Sequence, residues 1–254
     1  MLQDPFSSVF TTLAWDGGHN LAFLQEHLQR MERHAERLDI KLPKDIEEKI
    51  RDGIKNIPID LEPDAIPPSL VTIRVTEEGD FQISSRANTK YRNTVSAISV
   101  TAPIWSKRVR GTKHGAWQPY LDAKKHARKS GADVALLIDN GAIIDADRAT
   151  PVLLDQDGTL WVADNKQGGV DSITLQIILP ELEKAGMPVN KGRIHEKMIG
   201  RAKEIILVGT GIGVVRIEEI DGQEIGDEEE GPLYKIAKNS WHNSLLEAWG
   251  DEEA

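Results

Sequence analysis

The chain contains no cysteine among its 254 residues. It can therefore form no disulfide, no thiolate metal site and no thiol nucleophile. No apolar run approaches the roughly 20 residues that a membrane-spanning helix needs. The N-terminal segment MLQDPFSSVF also lacks the basic start and apolar stretch of a secretory signal. We therefore expect a soluble, cytoplasmic protein that does not insert into membranes.

Positively charged residues are also fewer than negatively charged ones. Lysine and arginine together number 31 against 41 aspartates and glutamates, which gives a formal net charge of -10. Such a balance argues against a protein that grips nucleic acid by its phosphates. Two acidic runs, Asp227–Glu230 and Asp251–Glu253, predict a solvated loop and a frayed tail.

The first hundred residues have the pattern of a small α+β unit. Apolar residues recur at helical spacing from about residue 23 to 38, and a second predicted helix follows Pro43. Alternation over 71–75 predicts a strand that returns over 81–84, and residues 94–101 form another β-rich run.

The rest of the chain is richer in strands. The predicted elements are, in order, a helix starting near Gln118 and ending at Lys129, hairpins over 134–145 and 151–163, a helix over 172–184, strands over 204–208 and 214–220, and a helix over 233–249. The sequence therefore predicts a two-domain α+β protein, with a small domain at 1–102, a basic interdomain connection at 103–113 and a larger strand-rich domain at 114–254.

Several separated segments together resemble one known family. They are VFTT at 9–12 with EHLQRM at 26–31, GTKH at 111–114, IDADRAT at 144–150, SIT at 172–174 and EIILVGT at 204–210. Their order and spacing resemble the class IV aminotransferases, which include branched-chain and D-amino-acid aminotransferases and 4-amino-4-deoxychorismate lyase. The resemblance implies the fold type IV architecture, the cofactor pyridoxal 5′-phosphate and a homodimer.

The resemblance also implies roles for individual residues. Lys113 takes the position of the lysine that forms a Schiff base with the cofactor, and Asp145 takes that of the glutamate that pairs with the pyridine nitrogen. A carboxylate there keeps the ring able to accept electrons. The phosphate would be held by Arg30, Ile173, Thr174 and Thr210, since a guanidinium fork and a helix N-terminus both bind anions.

Ordinary explanations stay open for each of these residues taken alone. Arg30 could lie on a solvated helix face, and Lys113 could be a surface lysine in a basic linker. Arg108 and Arg110 could bind a substrate carboxylate or simply face solvent. His27 and His114 have no partners at metal-ligand spacing, so the sequence predicts no metal site.

Three functions are compatible with these motifs. The first is amino-group transfer between an amino acid and a 2-oxo acid. The second is a lyase like 4-amino-4-deoxychorismate lyase, because Phe10-Thr11-Thr12 and Lys113-His114 resemble that branch of the family. The third is a catalytically degenerate binding protein, suggested by Asp145 where the family has glutamate and by Thr150 where it has asparagine.

Overall fold

A computed structural model describes residues 7–226 and 230–250 of the chain. Most of the two acidic runs, 227–229 and 251–253, therefore lies outside the described residues. The described chain is α+β, as predicted, and divides into two compact units. The first unit comprises Met1–Lys90, Trp105–Trp117 and Asn243–Ala254, and the second comprises Tyr91–Ile104 and Gln118–His242.

The described residues form six α-helices and thirteen strands. The helices are α1 (Leu24–Leu38), α2 (Ile46–Ile54), α3 (Gln118–Lys129), α4 (Ile173–Lys184), α5 (Glu196–Ile199) and α6 (Pro232–Gly250). The strands are β1 (Ser8–Trp15), β2 (Ser69–Thr76), β3 (Phe81–Ala87), β4 (Thr94–Thr101), β5 (Val134–Asp139), β6 (Ala142–Ala146), β7 (Thr150–Leu154), β8 (Leu160–Ala163), β9 (Val189–Gly192), β10 (Ile194–His195), β11 (Glu204–Gly209), β12 (Gly213–Ile220) and β13 (Gln223–Glu224). None of the described helices is both long and apolar enough to cross a membrane.

The first unit contains a three-stranded antiparallel sheet in the order β1-β2-β3. The short segment 113–115 extends this sheet on the free side of β1. The Phe10 amide donates to the Lys113 carbonyl at 3.0 Å, and the Gly115 amide donates to the Ser8 carbonyl at 2.7 Å. Val9 and His114 form an antiparallel bridge between these two bonds. The sheet pairing therefore fixes the backbone of Lys113.

One face of this sheet forms the apolar core of the first unit. Alternate strand residues meet the apolar stripes of α1 and α2. The buried residues of these elements are Val9, Leu13, Trp15, Leu24, Leu28, Met31, Ala35, Leu38, Ile46, Ile50, Ile54, Val71, Ile73 and Val75. Burying each large aliphatic side chain of this kind contributes roughly 1.5–3 kcal/mol. Helix α1 ends where Asp39 adopts a left-handed conformation, with φ of 60°.

The second unit is built on a ten-stranded mixed sheet. Its order is β10-β6-β5-β4-β12-β11-β7-β8-β9, and β13 pairs with β12 at one side. Helix α3 packs against β5, and α4 packs against β11. Strand β4 belongs to this unit because it pairs in parallel with both β5 and β12, although it falls within the small domain predicted at 1–102. The domain boundaries predicted from the sequence stay a prediction.

Candidate active site

Lys113 lies between two aromatic side chains of the first unit. Its Nζ is 5.0 Å from the ring centroid of Phe10 and 4.9 Å from that of Trp117. The two rings meet edge to face, with centroids 5.1 Å apart and an interplanar angle of 87°. An ammonium group over aromatic faces gains cation–π attraction, so these rings define where the amine rests.

The backbone of Lys113 is held from both sides. Its carbonyl accepts from β1, and its amide donates to Nδ1 of His34 on α1 at 3.2 Å. Burial, and then the positive charges of Arg30, Arg37, Lys113 and Arg33, together lower the pKa of His34 to about 2. His34 is therefore a neutral acceptor at physiological pH.

Arg30 is buried on the same face of α1, so it does not lie on a solvated surface. Its Nη2 donates to Thr11 Oγ1 at 2.9 Å and lies 3.3 Å from His27 Nδ1. Thr11 Oγ1 also lies 2.8 Å from His27 Nδ1, and its hydroxyl can donate to that nitrogen. Burial, and then the charges of Arg30 and Lys113, hold the pKa of His27 well below its usual range. The structure thus brings Arg30 and Lys113 into one unit among neutral histidines, an environment that attracts anions.

In the second unit, Asp145 is buried at the end of β6. One carboxylate oxygen accepts from the Ala146 amide and the other from the Val170 amide, both at 3.0 Å. The chain around Gly169 approaches β6 so closely that an added Cβ would lie 2.5 Å from the Ile144 carbonyl oxygen. This approach places Asp145 beside the segment that leads into α4.

Helix α4 begins three residues after Val170, at Ile173. Ser172 caps it, because its Oγ accepts from the Leu175 amide at 3.2 Å. The amides of Ile173 and Thr174 in its first turn have no partner within the helix by geometry. Within the described part of the chain, the buried hydroxyl Oγ1 of Thr174 also has no hydrogen-bond partner. A buried hydroxyl beside first-turn amides fits an anion such as a phosphate.

The other predicted residues have more peripheral surroundings. Thr210 is half-buried in the turn between β11 and β12. The guanidinium of Arg108 donates to the carbonyls of Arg37 and Leu38 at 2.9 and 2.7 Å, so it caps the C-terminus of α1. The backbone carbonyl of Arg110 accepts from Arg37 Nη2 at 2.6 Å. The substrate role of Arg108 and Arg110 stays a prediction.

Sequence reasoning missed several residues around Lys113. His27 and His34 share the buried face of α1 with Arg30. Arg30 follows His27 by three residues and His34 follows it by seven, so these polar groups lie within an apolar stripe. That pattern was a usable signal. Phe10 stood out only as part of a family motif, and the closeness of Phe10 and Trp117 to Lys113 Nζ depends on the pairing of 113–115 with β1.

Comparisons with known proteins agree with this architecture. The amino-transferase class IV family model matches residues 8–220. The D-alanine aminotransferase of Listeria innocua is 29% identical over 133 residues, which cover 52% of this chain and 45% of that protein. The match thus spans about half the length of that curated relative.

Solved structures share the fold. A fold IV-transaminase from Curtobacterium pusillum superposes with a TM-score of 0.75 at 16% identity, covering 92% of this chain and 84% of its own. A putative 4-amino-4-deoxychorismate lyase superposes with a TM-score of 0.73 at 26% identity, covering 92% and 90%. The predicted type IV fold is confirmed.

Proposed function

The chain belongs to the class IV aminotransferase family, and from that premise we propose that it is a pyridoxal 5′-phosphate enzyme that moves an amino group between an amino acid and a 2-oxo acid. The observation that carries the proposal is the setting of Lys113. Its backbone is fixed by β1 and by neutral His34, and its amine lies against two aromatic rings. A surface lysine in a linker has no need of such support.

Each unit, taken by itself, has residues that suit the cofactor. In the second unit, the buried Thr174 hydroxyl and the first-turn amides of α4 supply donors for a phosphate. In the first unit, buried Arg30 supplies a cation. Asp145, whose carboxylate is oriented by two backbone amides, would pair with a protonated ring nitrogen. When bound, pyridoxal phosphate supplies an electron sink for the substrate carbon next to the amine.

Lys113 would have two tasks. Its Nζ would hold the cofactor covalently, and it would move a proton to and from the α-carbon of the substrate as general base and acid. Phe10 and Trp117 border this amine and would limit its contact with water. His34 would keep the backbone of Lys113 in place without adding charge.

A labelling experiment tests the proposal. Protein purified with added pyridoxal phosphate should show a visible absorption band that borohydride removes, and mass spectrometry should find the reduced label on the peptide containing Lys113. Lys113→Ala should abolish the label. Lys107→Ala removes an exposed lysine from the same loop and should leave the label intact. A label on another lysine, or no band at saturating cofactor, would contradict the proposal.

A lyase is the second candidate, because a putative 4-amino-4-deoxychorismate lyase shares the fold at 26% identity over 92% of the chain. Turnover that requires both an amino donor and a 2-oxo acid supports transfer. Turnover of a single amino substrate without an oxo acid supports the lyase. A labelled protein that turns over neither would favour the degenerate binding protein.

We further propose, on the family resemblance, a cytoplasmic homodimer. Light scattering coupled to size-exclusion chromatography should give twice the mass of the 28.2 kDa chain. A monomeric mass at micromolar concentration would contradict the assembly.

A further inference from the structure

The carboxylate of Asp145 joins two stretches of the second unit. One of its oxygens accepts the amide of Ala146 in the same strand, β6, and the other accepts the amide of Val170, 25 positions along the chain. Both hydrogen bonds are buried, with N–O distances of 3.0 Å. A charged acceptor makes stronger hydrogen bonds than a neutral one, and burial excludes competing water. Asp145 therefore connects residues 169–172 to the end of β6.

The surroundings of Gly169 show how closely these two stretches pack. A Cβ at this position would lie 2.5 Å from the Ile144 carbonyl oxygen and 3.9 Å from Asp145 Cγ. Short aspartate side chains characteristically accept backbone amides close to them in sequence. The residue that stands where the family has glutamate is thus suited to hold residues 169–172 against the β6 backbone.

The connected residues lead directly into the turn that would bind phosphate. Val170 lies three residues before Ile173, the first residue of α4. Ser172 then caps the helix, because its Oγ accepts the Leu175 amide at 3.2 Å. The first-turn amides and the buried Thr174 hydroxyl follow Val170 within four residues. Donors bind an anion tightly only when they are held in place beforehand, so the contact that fixes Val170 also affects binding at this turn.

We infer that Asp145 is a positioning residue for the phosphate-binding turn of α4, in addition to its proposed contact with the ring nitrogen of the cofactor. The inference rests on the proposed function. It gives one carboxylate an influence on two separate parts of the cofactor. Loss of Asp145 should therefore weaken the binding of a phosphate group even when the ligand has no ring nitrogen.

The test uses two ligands without that nitrogen. The first is the analogue of pyridoxal phosphate in which a C–H group replaces the ring nitrogen, and the second is the same aldehyde without its phosphate. Each is titrated into the cofactor-free full-length protein, and its affinity is read from the change in absorption. The ratio of the two affinities measures the contribution of the phosphate. Effects of Asp145 at the ring are common to both ligands and cancel in this ratio.

Asp145→Ala should lower the ratio roughly 10-fold, a loss typical of removing a residue that orients a ligand-binding group. Asp145→Asn keeps the size of the side chain and one acceptor oxygen, so it should lose part of the ratio. Asp155→Ala is the matched control. Asp155 Oδ1 also accepts two backbone amides, those of Asp157 and Thr159 at 2.9 Å each, but in the turn between β7 and β8. This variant should keep the wild-type ratio.

Each contrary result has a defined meaning. A ratio in Asp145→Ala within about twofold of wild type would overturn the inference, because the carboxylate would then act only at the ring. An equal fall in Asp155→Ala would also overturn it, since any lost turn contact would then have the same effect. If Asp145→Ala does not fold, the ratio in Asp145→Asn decides in the same way. Failure of the proposed function differs, because pyridoxal phosphate itself would then leave the Lys113 peptide of wild type unlabelled.

Discussion

Lowering the pH from about 7.5 to about 5 is expected to weaken the first unit, because its fold holds two histidines in the neutral state. Burial and the positive charges nearby, Arg30 and Lys113 among them, together lower the pKa of His34 to about 2. Burial, and then Arg30 and Lys113, hold the pKa of His27 well below its usual range. In the unfolded chain a histidine titrates near 6.5. Between these pKa values the unfolded state binds more protons, so the free energy of unfolding falls as the pH falls.

The size of the effect follows from the unfolded-state pKa. For a histidine that stays neutral when folded, the free energy of unfolding falls by up to about 1.4 kcal/mol for each pH unit below about 6.5. Each such histidine therefore lowers it by about 2 kcal/mol at pH 5. His27 and His34 together would remove about 4 kcal/mol. That is a large share of the roughly 5–15 kcal/mol by which a folded domain is stable. The contribution is fully present at pH 7.5 and is lost on acidification.

Urea unfolding followed by tryptophan fluorescence at both pH values measures this loss. His34→Gln retains a side-chain oxygen that can accept from the Lys113 amide but has no titrating ring. Its loss of stability on acidification should be about 2 kcal/mol smaller than that of wild type. His126→Gln, at an exposed position of α3, should lose as much as wild type. Carboxylates titrate equally in both proteins and so do not contribute to the difference between them. Losses of stability for His34→Gln and wild type that agree within about 0.5 kcal/mol would therefore refute the reasoning.

Three further substitutions should lower the free energy of unfolding measured in urea at pH 7.5. Glu204→Ala removes a buried carboxylate that accepts two amides of the first turn of α6 at 2.8 and 3.2 Å, with an expected loss of about 1–3 kcal/mol. Asp147→Ala leaves the largely buried Arg148 without its ion pair, whose Nε–Oδ1 distance is 2.7 Å, and should cost about 2–4 kcal/mol. Gly169→Ala forces a Cβ to 2.5 Å from a backbone oxygen of β6 and should cost about 1–3 kcal/mol, whereas Gly200→Ala meets open space and should change little.

Each of these has its own contrary outcome. Wild-type stability in Glu204→Ala would mean that other groups satisfy the start of α6. Equal stability of Asp147→Ala and wild type would mean that Arg148 reaches solvent freely. If Gly169→Ala and Gly200→Ala behave alike, the loop before α4 moves aside without cost.

Local sequence patterns predicted many of the helices and strands. The apolar stripe from residue 23 to 38 corresponds to α1, and Pro119 correctly placed the start of α3 at Gln118. Strand pairing was harder, because register depends on partners far away in the sequence. Strand β4 follows β3 along the chain yet pairs with β5 and β12. The short strands β9 and β10 escaped prediction, since β9 shows no alternation of buried and exposed residues.

The candidate site was predictable only in part. Motif spacing singled out Lys113, Arg30 and Asp145, whose roles stay proposals, but not the groups that surround them. The neutral state of His34 arises from its burial and from cations that the fold gathers. The place of Lys113 beside Phe10 requires the pairing of 113–115 with β1. A single sequence does not specify these long-range arrangements.

The face of the sheet from which Lys113 projects depends on the strand register, because successive residues of a strand point to opposite faces. A shift of one residue in the pairing between 113–115 and β1 would turn its amine from the Phe10 side towards the apolar layer under α1. Gly115 opposes such a shift, because any side chain there would come within 2.5 Å of Ser8 Oγ and 2.7 Å of Ser7 Oγ. The glycine therefore decides the direction of the amine without touching it, since it holds residues 113–115 in the one register that turns Lys113 away from the apolar core.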